Sequence, residues 1–376
     1  MKFVVAPDKF KNSLTGMEFC NAVEKGLLTV FPDATVIKIP LGDGGDGTLD
    51  ALKHSMNGDM INVIVNDPLF RKIEAKYLFN SQSETAFIEM SEASGLRLLK
   101  KEERNCLYTS SYGTGELIIH ALNNGAKSIC LGIGGSATND AGIGMATALG
   151  FQFFDRNSHE LHPIGNNLDQ ITQIGTSKAT HLLKGVDFKV ACDVHNTFYG
   201  EKGAAYVYGP QKGANHEAVD HLDAGLQNIA SIFKNMFKID VQNIPGTGAA
   251  GGMGGGSIAF LRAKLISGIE MVKEIVDFNS KIEGADWIIT GEGMLDNQTF
   301  SGKTIDGVIA SAKKNNIPIA AFCGSVNITI QEQKEFGLHY VTSILNEVSD
   351  LKQAISSSYD NLVKTSYNFA SLVESR

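Results

Sequence analysis

The sequence predicts an α/β protein: a doubly wound parallel sheet with a second, inserted α/β domain. Three observations carry this. Short apolar runs bounded by glycine or proline recur at Phe3 to Ala6, Val36 to Ile39, Ile129 to Ile133, Trp287 to Thr290, Pro318 to Phe322 and Tyr340 to Ile344, the pattern of strands covered on both faces. Helical periodicity follows most of these runs, and strand–helix alternation argues a parallel sheet. Two intervening stretches read differently, which argues for the insertion.

Taken in order, the first strand leads to a well-marked helix. Thr15 and Glu18 have capping-box spacing, and Phe19, Val23, Leu27 and Val30 then recur on one face. After the second strand, residues 62–65, 73–79 and 85–90 alternate as half-buried strands, and residues 150–280 mix short strands, helices and glycine loops. The expected division is therefore 1–58, 104–150 and 283–376 in the first domain, with 59–103 and 151–282 in the inserted one. No low-complexity linker and no repeat of fixed period interrupts the chain.

Composition narrows the function classes. The 376 residues are 43% hydrophobic and 20% charged, enough for a large buried core. A net charge of -8 argues against nucleic acid or an anionic membrane as partner. The five cysteines are scattered and form no C-x-x-C pair, so neither a disulfide framework nor a zinc site is expected. No apolar run has the length of a membrane span or a signal-peptide core, and a cytoplasmic location is the expectation. Oligomeric state is left open.

Four glycine-rich stretches stand out, and three of them carry carboxylates: Asp43 to Gly47, Gly132 to Asp140 and Gly291 to Asp296, whereas Gly246 to Gly256 carries none. Glycine lets backbone N–H groups approach an anion, and a carboxylate beside a phosphate implies a metal ion between them. Ligands of open parallel sheets bind at the carboxyl ends of the strands. Asp8 to Ser13, the 43–47 loop, Gly134 to Asp140 and Glu292 to Asp296 all follow predicted strands, so the chain reads as a phosphate-handling enzyme.

Each motif has a plainer reading. Gly132-x-Gly134-x-x-Ala137 satisfies the dinucleotide fingerprint, with Asp155 about 20 residues on as the ribose acid, so a nicotinamide-dependent oxidoreductase competes. Gly302-Lys303-Thr304 has the end of a P-loop but Asn297 where the pattern needs glycine. His216 and His221 miss the spacing of a zinc helix. Asp193 could be a helix cap, and Arg71 a solvated hairpin arginine. The Gly246–Gly256 run is either a phosphate loop or hinge, or close packing through small residues.

Several long motifs carry a resemblance. Ala6-Pro7-Asp8-x-Phe10-Lys11, Asp43-Gly44-Gly45-x-Gly47-Thr48, Tyr112-Gly113-Thr114-Gly115-Glu116-Leu117, Gly132 to Asp140, Ala191-Cys192-Asp193-Val194, Tyr208 to Ala214, Gly248 to Gly252 and Ile289 to Gly293 occur in this order. Together they resemble the bacterial type I glycerate kinases from Met1 to about Ser325. The resemblance implies a flavodoxin-like larger domain within the glycerate kinase I fold and an active site in a cleft between two domains. It also implies ATP- and Mg2+-dependent phosphorylation of D-glycerate, at the 2-hydroxyl giving 2-phosphoglycerate or alternatively at the 3-hydroxyl. Lys9, Asn12, Asp46 and Met294 depart from the family pattern, which often has Ser, Gly, Glu and Arg there. A sensor that kept the fold and lost catalysis is a further alternative.

Phosphoryl transfer needs an oriented hydroxyl, a group to take its proton, cations over the phosphate oxygens and exclusion of water. The candidate base is Asp193, with Lys11 as a catalytic cation. Lys9, Ser13, Asp46 and Arg71 are candidates for holding the substrate. Gly134, Gly135, Ser136, Thr138, Asn139 and Lys303 are candidates for the nucleotide phosphates, and Glu292 and Asp296 for magnesium.

Overall fold

The computed structural model describes residues 1–8, 10, 13–45, 47–53, 55–176, 179–297, 299 and 303–375. The expectations for Lys9, Lys11 and Asp46 thus lie outside the described residues. Two large sheets hold eleven strands: β1 Lys2–Val5, β2 Thr35–Lys38, β3 Asp59–Asn66, β4 Lys72–Asn80, β5 Thr85–Glu89, β6 Ser128–Gly132, β7 Asp187–Ala191, β8 Lys264–Ile266, β9 Trp287–Thr290, β10 Ile319–Cys323 and β11 Tyr340–Ser343. The chain divides into two compact units, Met1–Asp43, Asp50–Asn57 and Ile269–Arg376 in one, Gly44–Leu49 and Gly58–Gly268 in the other.

The first unit is built on the sheet β11-β10-β9-β1-β2, with every pairing parallel. Numbered within the unit, this is the order 2-1-3-4-5 of flavodoxin-like sheets, whose topological switch point lies between β1 and β9. The helix Gly16–Val30 starts at the expected capping box: the Thr15 hydroxyl accepts the Glu18 N–H at 3.1 Å and the Glu18 carboxylate accepts the Thr15 N–H at 2.8 Å. Its face buries Phe19, Val23 and Leu27, and each such side chain contributes about 1.5–3 kcal/mol on burial. The helix crosses Ser358–Glu374 so closely that a Cβ on Gly26 would lie 2.5 Å from the Val363 carbonyl oxygen. Phe3, Phe19, Phe322 and Phe369 fill the core below.

The second unit carries the sheet β8-β7-β6-β5-β4-β3. Strands β8, β7, β6 and β5 pair in parallel, and β5, β4 and β3 pair antiparallel. A separate core spans this unit, with Ile88, Leu131, Phe153, Phe198, Phe233 and Phe260 among its members.

One expectation is corrected. The run Ile129–Ile133 forms β6 and lies between β5 and β7 in the second sheet, so residues 104–150 belong with the inserted unit, and the chain re-enters the first unit at Ile269 rather than 283. A short apolar run buried on both faces carries no information about which sheet completes its hydrogen bonds.

Candidate active site

At the switch point of the first sheet, the chain after β1 bonds to the chain after β9. The Ala6 N–H donates to the Ile289 carbonyl at 2.8 Å and the Asp8 N–H to the Gly291 carbonyl at 2.9 Å, while the Thr290 hydroxyl donates to the Ala6 carbonyl at 2.8 Å. Gly291 is required here, because a Cβ would stand 2.1 Å from the Phe322 carbonyl oxygen. The next residue, Glu292, is thereby fixed at the rim.

Burial pushes the Glu292 carboxyl up to about 7; the Thr299 hydroxyl bond opposes this, the charges of Asp8 and Asp296 add to it, and Lys303 works against it. Thr299 Oγ1 donates to Glu292 Oε1 at 2.6 Å and accepts the Asp296 N–H at 3.1 Å. Carboxylates that repel one another are suited to a hard dication. Among the described residues no three His, Cys, Asp or Glu side chains close around a metal position. Lys303, exposed, precedes the helix Thr304–Lys314. The Ser13 hydroxyl donates to Ser358 Oγ at 2.8 Å, which ties it to the start of the last helix.

In the second unit the loop after β6 exposes Gly134 and Gly135 and buries Ser136 through Asp140. It is pinned from several sides: the Leu96 N–H donates to the Gly135 carbonyl at 2.8 Å, the Ala137 N–H to the Ser94 carbonyl at 2.9 Å, and the Thr109 hydroxyl to the Ala137 carbonyl at 2.9 Å. The Asp140 carboxylate accepts the Ser111 N–H and hydroxyl at 2.8 and 2.7 Å and the N–H groups of Gly142 and Gly144. Burial raises the Asp140 carboxyl while those bonds lower it. The Thr138 hydroxyl and both polar atoms of the Asn139 amide are buried without a hydrogen-bond partner among the described residues. Orphaned groups of this kind are uncommon in native proteins and point to a ligand or water.

The glycine run turns out to back this loop. Residues Ala249–Leu261 form a buried helix interrupted by left-handed Ala250, Gly251 and Gly252, and a Cβ on Gly251 or Gly256 would stand 2.1 Å from the Thr138 or 2.0 Å from the Ala141 carbonyl oxygen. Close packing, not a hinge, is what these glycines serve.

Asp193 lies exposed just beyond β7, and its Oδ1 accepts the Gly268 N–H at 2.9 Å, capping the helix Gly268–Ile275. Arg71 sits at the β3–β4 hairpin; its Nε donates to Asp67 at 2.5 Å and its NH1 to Glu103 at 2.7 Å, and the Glu103 and Asp67 bonds hold the guanidinium above its usual range. Engaging a substrate carboxylate through those donors would require the pairs to open.

Two residues escaped the sequence reading. Glu89, 2% exposed, ends β5 and accepts the N–H groups of Gly47 and Leu49 at 3.2 and 2.5 Å, which anchors those two residues. A carboxylate closing an apolar strand was its only signal. Lys212, also 2% exposed, donates to Ser136 Oγ and the Thr138 carbonyl at 2.7 Å each. Its signal was the Tyr208–Ala214 motif.

The oxidoreductase reading loses its acid: the Asp155 carboxylate is engaged by the N–H groups of Asn157 and His159 at 2.8 Å each within its own turn. His221 Nε2 lies 3.0 Å from the Asn166 carbonyl oxygen and its Nδ1 lies 3.9 Å from the Asp169 carboxylate.

Comparison with known proteins bears on the whole chain. The family model described as the glycerate kinase family matches residues 3–374. A glycerate kinase of Bacillus cereus is 44% identical over 372 residues, covering 99% of this chain and 98% of that protein. A glycerate 2-kinase of Escherichia coli K12 is 41% identical, covering 98% and 97%. A solved structure from Salmonella typhimurium LT2, carrying the name glycerate kinase 2, is 39% identical with a TM-score of 0.91 over 100% of this chain and 98% of that one. Extended similarity of sequence and fold leads to one conclusion: the chain belongs to the glycerate kinase family, phosphotransferases with an alcohol group as acceptor.

Proposed function

We propose that the chain transfers the γ-phosphoryl group of ATP to the 2-hydroxyl of D-glycerate, giving 2-phosphoglycerate and ADP, with Mg2+ as the metal. The observation that carries the reading is Glu292 at the switch point, desolvated, bonded to Thr299 and raised by the charges of Asp8 and Asp296. Such a carboxylate gains from a cation beside a phosphate. The name of the E. coli relative, glycerate 2-kinase, supports the 2-position.

In this mechanism Glu292 and Asp296 hold the metal, which when bound neutralises charge on the transferring phosphoryl oxygens. Gly134, Gly135 and Ser136 receive nucleotide phosphates, with Thr138 and Asn139 beneath them, and Lys303 adds a cation. Asp193 accepts the proton of the attacking hydroxyl. Lys9, Lys11, Ser13, Asp46 and Arg71 are proposed to hold or neutralise the substrate. The five cysteines without a disulfide support a cytoplasmic location.

Phosphorus NMR of the protein with ATP, Mg2+ and D-glycerate tests this. A 2-phosphoglycerate resonance with matching ADP is expected. A 3-phosphoglycerate resonance would move the reaction to the other hydroxyl, and no phosphoglycerate at all would overturn the substrate.

A further inference from the structure

Lys212 is a wholly buried ammonium whose hydrogen-bond partners are both neutral, a hydroxyl and a carbonyl. Burying a cation without a carboxylate in contact is costly, and natural chains keep such groups where the charge is used. Its position is fixed from both sides. Pro210 starts the turn Pro210–Lys212, left-handed Gly213 ends it, and a Cβ on Gly213 would lie 2.0 Å from the Arg104 carbonyl oxygen, so the turn is seated against Arg104.

The grip has a geometric consequence. Across a planar trans peptide the carbonyl and the following N–H point in opposite directions. With the Thr138 carbonyl held on Lys212, the Asn139 N–H is turned to the other side of that peptide. With a lone pair of Ser136 Oγ occupied by the ammonium, the Ser136 hydroxyl hydrogen is left to serve another acceptor. The buried Thr138 hydroxyl and Asn139 amide, both without partners among the described residues, lie in the same short segment.

We propose that Lys212 is the positioning cation of the Gly134–Asn139 loop, holding it in the form that receives the phosphate groups of a nucleoside di- or triphosphate. The inference rests on the reading of that loop as the phosphate site. Besides orienting donors, the ammonium supplies positive potential in a low-dielectric interior, where it acts more strongly on an anion than it would in water. Cys106 and Asp140 are the titratable groups that face it, both raising its proton affinity, and burial outweighs them, pushing the ammonium down to about 8. Phosphate affinity is therefore expected to fall as the pH rises through that value.

The test is calorimetric titration of ADP and, separately, of D-glycerate into wild type, Lys212→Met, Lys212→Arg, Ser136→Ala and Thr138→Val at pH 7 and pH 9. Expected are a loss of ADP affinity of at least tenfold in Lys212→Met with glycerate affinity changed less than twofold, and a weakening of wild-type ADP binding at pH 9 that Lys212→Arg abolishes. Unchanged ADP binding in Lys212→Met, while Ser136→Ala or Thr138→Val weakens it, would remove Lys212 and keep the loop. If no loop variant alters ADP affinity, the loop reading falls and the proposal with it. Should Lys212→Met fail to fold, the wild-type pH series decides, and a flat profile overturns the proposal.

Discussion

The Thr299 hydroxyl donates to the Glu292 carboxylate at 2.6 Å, and this bond together with the charge of Lys303 only partly offsets its burial and the two like charges of Asp8 and Asp296. The folded-state value of about 7 lies above the ordinary glutamate value of 4.5, so the folded chain binds more protons than the unfolded one between those two values. Its contribution to stability is complete below about pH 4.5 and is lost as the pH rises through about 7. After allowance for partial solvent screening this amounts to about 1–2 kcal/mol. In metal-free buffer the melting temperature should thus fall between pH 5 and 8 in wild type and fall less in Glu292→Gln. Parallel curves for the two proteins would show that Glu292 titrates normally.

Asp193 both caps a helix and stands as the proposed base, and two substitutions separate these roles. Asn keeps an oxygen for the Gly268 N–H but cannot take a proton, so Asp193→Asn should retain the wild-type melting temperature and lose kcat by about 10²–10⁴-fold. Asp193→Ala should lose the same activity and in addition about 1 kcal/mol of stability, the usual worth of a cap. If Asp193→Asn turns over at close to the wild-type rate, Asp193 is a cap and nothing more.

Glu89 is the acceptor that anchors Gly47 and Leu49. Replacing it with Ala leaves two N–H groups without that acceptor at a cost of about 1–3 kcal/mol. Amide exchange should consequently quicken in the peptide spanning 44–49 while strands β6 and β7 stay protected. Unchanged exchange there would mean that other contacts hold the segment.

Much of the first unit was legible because its signals are local. Thr15 and Glu18 announced their helix, and β1, β2, β9 and β10 were each bounded by glycine, proline or charge. The placement of β6 was not, since Ile129 and Leu131 are equally apolar in either sheet and only pairing with Ala86, Ile88, Phe188 and Val190 decides. The site divided along the same line. Glycine loops with carboxylates were visible as composition, whereas Lys212 and Glu89 owe their importance to partners 74–76 and 40–42 residues away, a relation no window along the chain contains.

The glycine backing of the loop gives the last prediction. Gly251 has φ +71° and its added Cβ would meet the Thr138 carbonyl oxygen at 2.1 Å, whereas Gly125, with φ +93°, has nothing within 4 Å. Both substitutions by Ala place a side chain in a left-handed conformation, costing about 1 kcal/mol. Only Gly251→Ala must in addition displace the carbonyl that Lys212 holds. Gly125→Ala should therefore lose a little stability at unchanged KM for ATP, and Gly251→Ala should raise that KM at least tenfold in the fraction that folds. Equal kinetic behaviour of the two variants would show that the position of the Thr138 carbonyl does not govern nucleotide binding.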